Sequence, residues 1–117
     1  MGKIKYFILR GIWKMVSSKI DWFFLYRYEV QNLSGKVGSN LKVKGQCSGF
    51  HKGVSLGKNV SFNGMHILGL GEVTIGDYFH SGMNITIITS NHNWDSDVAI
   101  PYDKQRNNQP VYIKDFV

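Results

Sequence analysis

Two prolines and a single cysteine in 117 residues leave little to punctuate or staple this chain. One cysteine excludes a disulfide framework and any all-cysteine metal site. Long apolar runs are missing too. Lys3, Lys5, Arg10, Lys14, Lys19, Asp21 and Arg27 break up the only candidate region, whose longest charge-free run is Trp22–Tyr26. A spanning helix needs ~20 apolar residues. Arg10 interrupts the apolar run and no small-residue cleavage site follows, so the N-terminus does not read as a signal peptide. Tyr6 stands where N-myristoylation requires Ser or Thr. These absences predict a cytoplasmic protein. Acids are scarce in the first half: residues 1–58 hold eleven Lys/Arg and two acids, whereas 59–117 hold three and six. The halves therefore carry +9 and −3, and the two ends are expected to do different jobs.

What is present begins with a basic, aromatic N-terminal segment, residues 1–34. Over residues 3–28 the pattern predicts one or two short helices. Ile4, Phe7, Ile8, Ile12 and Met15 share one face at helical spacing, and Lys3, Arg10, Lys14 and Ser17 share another. Trp22, Phe23, Phe24, Tyr26 and Tyr28 follow, with Lys19 and Arg27 nearby. Two readings fit this pattern. The segment is either a cap packed on the end of the next domain or an interfacial helix lying on anionic lipid, at the inner face of the membrane. Basic residues interleaved with aromatics also suit a nucleic-acid groove, but no reader motif accompanies them, and nucleic acid is not an expected partner.

From residue 37 the chain changes character. Aliphatic or aromatic residues recur every six positions, often followed by glycine. The strongest units start at Val37, Leu56 and Ile75, nineteen residues apart, as three hexapeptides plus one residue. Val43, Phe62 and Leu68 start further units. A period of six is neither that of a helix nor that of a plain strand. It predicts a triangular coil in which each side is a short strand and each corner a tight turn. The first residue of each unit points inward, and Gly, Asn or Asp beside it accommodates the corner backbone. Stacked coils then lie ~4.8 Å apart and bury an aliphatic column. The expected fold is an all-β solenoid over residues 35–117 behind the short basic helical segment.

This periodicity resembles that of the hexapeptide-repeat acyltransferases, whose fold is a left-handed parallel β-helix, an exception to the right-handed crossover rule. The likeness sharpens at Ile87-Ile88-Thr89-Ser90-Asn91-His92-Asn93-Trp94-Asp95, then Ile100-Pro101-Tyr102, then Pro110-Val111-Tyr112-Ile113. That order is similar to the sugar and polysaccharide O-acetyltransferase branch, which includes maltose and galactoside acetyltransferases. There a coil ends in a catalytic histidine, a long loop projects, and the helix resumes. Residues 89–110 would be that acceptor loop, longer than ordinary connections. The resemblance implies acetyl-CoA as co-substrate, a sugar or polysaccharide acceptor, and a homotrimer.

His92 is the expected general base, because an imidazole titrating near neutrality suits deprotonation of an attacking hydroxyl. Asn63, twenty-nine residues earlier, matches the family's active-site asparagine, an amide donor to the acceptor or reacting carbonyl. It also reads as an ordinary corner asparagine. Trp94 and Asp95 would line the acceptor pocket, with Asn91 and Asn93 beside them, although Asp95 in place of that role would orient His92. O- and N-acetylation are not distinguished, since one base serves both. Cys47 and His66, each fifth in its unit, read as column-filling core residues; His51 and His80 read as solvent-facing. No close histidine pair suggests the zinc site of the related γ-class carbonic anhydrases, and no metal is expected. Ile113–Val117 reads as the start of a further coil with nothing to cap it, whereas solenoids need about three or more repeats plus caps. The expectation is a fragment of such an enzyme. The alternative is a catalytically silent membrane-surface or interaction piece.

Overall fold

The computed structural model describes the backbone of residues 2–19, 22–95, 97–101 and 104–117, and their side chains except those of 16–19 and 22. Asp21 and Tyr102, and the Trp22 side chain, lie outside the described residues. Two helices come first, α1 (Lys3–Lys19) and α2 (Trp22–Leu33). Among the described residues eleven short strands follow: β1 (Lys36–Val37), β2 (Lys42–Val43), β3 (Cys47–Ser48), β4 (Val54–Leu56), β5 (Ser61–Phe62), β6 (Met65–Leu68), β7 (Val73–Ile75), β8 (Ile85–Ile88), β9 (Ser90–His92), β10 (Arg106–Asn108) and β11 (Val111–Ile113).

The strands assort into three parallel sheets and one antiparallel pair. The parallel sheets run β1-β4-β7-β11, β2-β5 and β3-β6-β8, and β9 pairs with β10. From β1 to β7 the chain visits the three parallel sheets in rotation. Short strands cannot supply enough ladder bonds within one segment, so each finds its partner one rotation later. The register is the sequence spacing made physical. Val37 pairs Leu56, Leu56 pairs Ile75, and Ile75 pairs Ile113. Val43 pairs Phe62, and Ser61 bridges His80. Those two sheets keep nineteen residues per step up to Ile75 and His80. The third does not: Cys47 pairs Met65, eighteen residues on, and Met65 pairs Ile85, twenty on. Eighteen and twenty sum to two steps of nineteen, so this sheet absorbs an irregularity that the others never feel.

That irregularity corrects two expectations. Met65 and Ile67 are buried and alternate with outward His66 and Leu68 on β6, because a strand alternates every residue. Leu68, read as an inward unit start, is 53% exposed. His66, read as core, faces outward, its Nδ1 2.7 Å from the Ser48 hydroxyl. His51 is half-buried rather than solvent-facing, with Nδ1 accepting the Gly53 N–H at 3.1 Å. His80 is exposed.

The glycines also serve a purpose other than corner dihedrals. In the four-stranded sheet the left-handed corner positions include Asn40, Asn59 and Tyr78, with φ of 62°, 56° and 58°. Gly38 and Gly57 instead sit where a Cβ would collide with the next rotation, on the Gly57 backbone and the Asp77 carboxylate respectively. Close stacking, not backbone freedom, demands them. Side chains finish the corners: Asn40 Nδ2 donates to Asn59 Oδ1 at 2.8 Å, and Asp77 Oδ1 accepts the Lys58 N–H at 2.9 Å.

Inside the rotations lies one apolar column that includes Val54, Leu56, Phe62, Met65, Val73 and Ile75. Phe50, Phe62 and Phe79 pack edge-on and tilted through it, with centroids 5.6 and 5.9 Å apart. Val30 of α2 is fully buried against the same core, and Tyr26 packs at its margin. Cys47 is buried there too, and burial pushes its thiol up to about 11. A thiol held neutral in this way is an inert packing group. No described residue of α1 joins the core.

Candidate active site on a projecting ribbon

Beyond β8 the chain leaves the parallel sheets, and Thr89 governs the exit. Its side chain is buried; Oγ1 donates to the Leu68 carbonyl at 3.0 Å and accepts the Gly71 N–H at 3.0 Å. Its N–H donates to the same Leu68 carbonyl at 2.8 Å, and its own carbonyl accepts the Gln109 N–H at 2.7 Å. One residue therefore ties the ribbon's departure, the corner beneath it and its return. Gly71 lies under this knot because a Cβ would strike Thr89 and the Gln109 carbonyl. β11 then resumes beside β7, with Val111 opposite Val73.

Between these anchors, β9 and β10 form an antiparallel ribbon. His92 lies opposite Arg106, Asn91 opposite Asn107, and Ser90 opposite Asn108. His92 is half-buried whereas Asn91 is exposed, as alternation along a strand requires. The Asn93 N–H donates to the Gln105 carbonyl at 3.3 Å and the Trp94 N–H to the His92 carbonyl at 3.0 Å, which turns the chain directly after His92. Trp94 and Asp95 follow, both exposed. The structure thus gathers Asn91, His92, Asn93, Trp94 and Asp95 on one end of one ribbon.

Arg106 is the residue that sequence reasoning missed. Directly opposed residues of an antiparallel pair share a face, with Cβ atoms ~5 Å apart. Arg106 therefore puts a permanent cation, with its fork of N–H donors, on the His92 face. The imidazole provides a proton acceptor and the guanidinium a seat for an anionic group. The ribbon register was the only signal that could have found it.

Asn63 lies elsewhere. It sits in the turn before β6, and its backbone N–H donates to Ser81 Oγ at 3.0 Å. Its Nδ2 donates to the Ser81 carbonyl at 3.1 Å and lies 3.3 Å from His80 Nε2. β6 and β8 run parallel, so Asn63 precedes one end of the pair and His92 follows the other. Within one chain Asn63 is a corner staple, and it is not brought beside His92.

Hollows open both at the ribbon and away from it. One of about 260 Å³ opens at the foot of the ribbon between Leu70, Glu72, Asn108 and Pro110. The other, about 410 Å³, lies between α2 and β2, lined by Phe23, Phe24, Leu41 and the cations Arg27, Lys42 and Lys44. Among the described residues no three His, Cys, Asp or Glu side chains gather where a metal ion could be held. No helix among them is long and apolar enough to cross a membrane. No family model matches the chain, and no curated protein or solved structure matches it.

Proposed function

We propose that the chain belongs to an acetyl-CoA-dependent O-acetyltransferase that acts on a hydroxyl of a sugar or cell-surface polysaccharide, with His92 as general base. The observation that supports this reading is the placement of His92: on a paired strand, half-buried beside Arg106, on a ribbon rooted by Thr89 in a stack of parallel strands. In this reading the three parallel sheets are the faces of a left-handed β-helix. Three copies assemble, and the enzyme works in the cytoplasm, at the inner membrane face. The His92 imidazole takes the acceptor's hydroxyl proton as that oxygen attacks the thioester carbonyl. The C–S bond then breaks, and the proton passes to the leaving thiolate, giving an acetyl ester and a free thiol. Arg106 meets an anionic group of either substrate, and Trp94 and Asp95 meet the acceptor's ring face and hydroxyls.

A second reading is a catalytically silent interaction piece, and the separation of Asn63 from His92 favours it. Acetyl-CoA binding and acetyl transfer to sugar acceptors decide between the two. The first reading expects both, with turnover of His92→Ala down by about 10²–10⁴-fold at unchanged thermal stability. Unchanged turnover in that variant removes His92 as the base. Absence of acetyl-CoA binding by the wild-type chain establishes the silent reading.

A further inference from the structure

We propose that α1 is an interfacial anchor that seats the protein on an anionic bilayer, a role independent of any chemistry at His92. No described side chain of this helix reaches the core. Ile4 is 77% exposed, Phe7 65% and Trp13 64%, and Ile8, Ile12 and Met15 are each about half exposed. A helix with this much uncovered apolar surface loses the burial that ordinarily stabilises surface helices. Gly11 weakens it further, standing mid-helix with nothing within 4 Å of a would-be Cβ.

The arrangement of residues names the missing surface. Ile4, Ile8, Ile12 and Met15 follow one another at spacings of four, four and three, which is one continuous stripe. Lys3, Arg10 and Lys14, seven and four apart, make the opposing stripe. Tyr6 and Trp13, also seven apart, run along the border between them, where amphipathic rings favour the headgroup level. Lys5, within the apolar arc, is near the helix start and long enough to reach back to the polar layer. The α1 sequence contains no acid.

A bilayer with anionic headgroups satisfies both stripes at once. Nucleic acid would reward the cations but leave the isoleucine stripe in water. A second copy would cover the isoleucines while bringing like charges together with no α1 acid to pair them. Positive charge continues past α1 along the chain: Lys36, Lys42, Lys44, Lys52 and Lys58 are all exposed on the first strands and turns.

The full chain is tested by flotation with phosphatidylcholine vesicles, with and without phosphatidylglycerol. Binding is expected to the anionic vesicles, accompanied by a blue shift of tryptophan emission that Trp13→Phe diminishes. Ile8→Glu/Ile12→Glu abolishes binding. Lys3→Gln, Arg10→Gln and Lys14→Gln each lower the partition coefficient by about fivefold, the equivalent of ~1 kcal/mol per cation near the surface. Thermal unfolding of all these variants matches the wild type, because none of the substituted side chains lies in the core. Three results would overturn the proposal: no flotation, flotation that survives the double glutamate variant, or self-association through α1 that vesicles do not compete away.

Discussion

The column inside the parallel sheets and the ribbon that leaves them draw on the same apolar alphabet, yet the two regions treat it oppositely. Phe62, Met65, Val73 and Ile75 are almost wholly buried, whereas Trp94, Val98 and Ile100 of the ribbon are 78%, 86% and 96% exposed. Hydrophobicity alone does not assign these fates; recurrence does. A residue returning nineteen positions later finds its own kind directly above it, and the pair expels water together. The ribbon has no such echo, and Trp94 and Ile100 stay turned to solvent. Its position instead depends on a local knot of hydrogen bonds. The lesson is that register between rotations holds one region, whereas the knot at Thr89 and the β9–β10 ladder hold the other.

The largest expected effect tests the column. Phe62→Ala removes a ring in contact with Phe50 and Phe79 and should cost about 3–5 kcal/mol in urea unfolding, whereas Ile100→Ala should stay within about 0.5 kcal/mol. Similar losses from both substitutions would erase the distinction between the regions.

Thr89→Val sharpens it further. The change keeps the shape but strips the Gly71 N–H of its buried acceptor, at a cost of about 1–3 kcal/mol. Faster amide exchange across β9 and β10, with β4 and β7 unchanged, is the accompanying sign. Uniform loosening of all strands would show instead that the ribbon and the stack form a single cooperative unit.

The subtlest effect depends on pH. Burial raises the Cys47 thiol from 9.0 to about 11, so the folded state favours the neutral thiol. The unfolded chain ionises first as pH rises. The stability Cys47 contributes is therefore whole below pH 9.0 and is lost as pH climbs toward about 11, a change of at most about 3 kcal/mol. Cys47→Ala should lie below the wild type at neutral pH and close that gap across the window. A constant gap would mean that the thiol is not desolvated in solution.

Much of this was legible in the residues. Val37, Leu56 and Ile75 announced the register of the four-stranded sheet because their corners are alike, each with glycine next and a left-handed residue two positions beyond it. The third sheet was illegible for a local reason: Cys47 lies four positions after Val43 but Met65 only three after Phe62, so the inward parity shifts by one. The clustering of Asn91 to Asp95 needed only contiguity. Arg106 depended on a ribbon register that no periodicity encodes. Asn63 read equally as an active-site donor and as a corner residue, and its bonds to Ser81 make it a corner within one chain.

The knot at Thr89 has an evolutionary corollary. The ribbon departs and returns at one place, closed by the Gln109 N–H on the Thr89 carbonyl and by the Ser90–Asn108 pair beside it, so a change of length beyond the β9–β10 ladder leaves that closure intact. Doubling a flexible insertion costs only about 0.6 kcal/mol in closure entropy. The segment is thus a cassette: its length and side chains can be exchanged wholesale, and recognition can diversify while the scaffold's own sequence stands still.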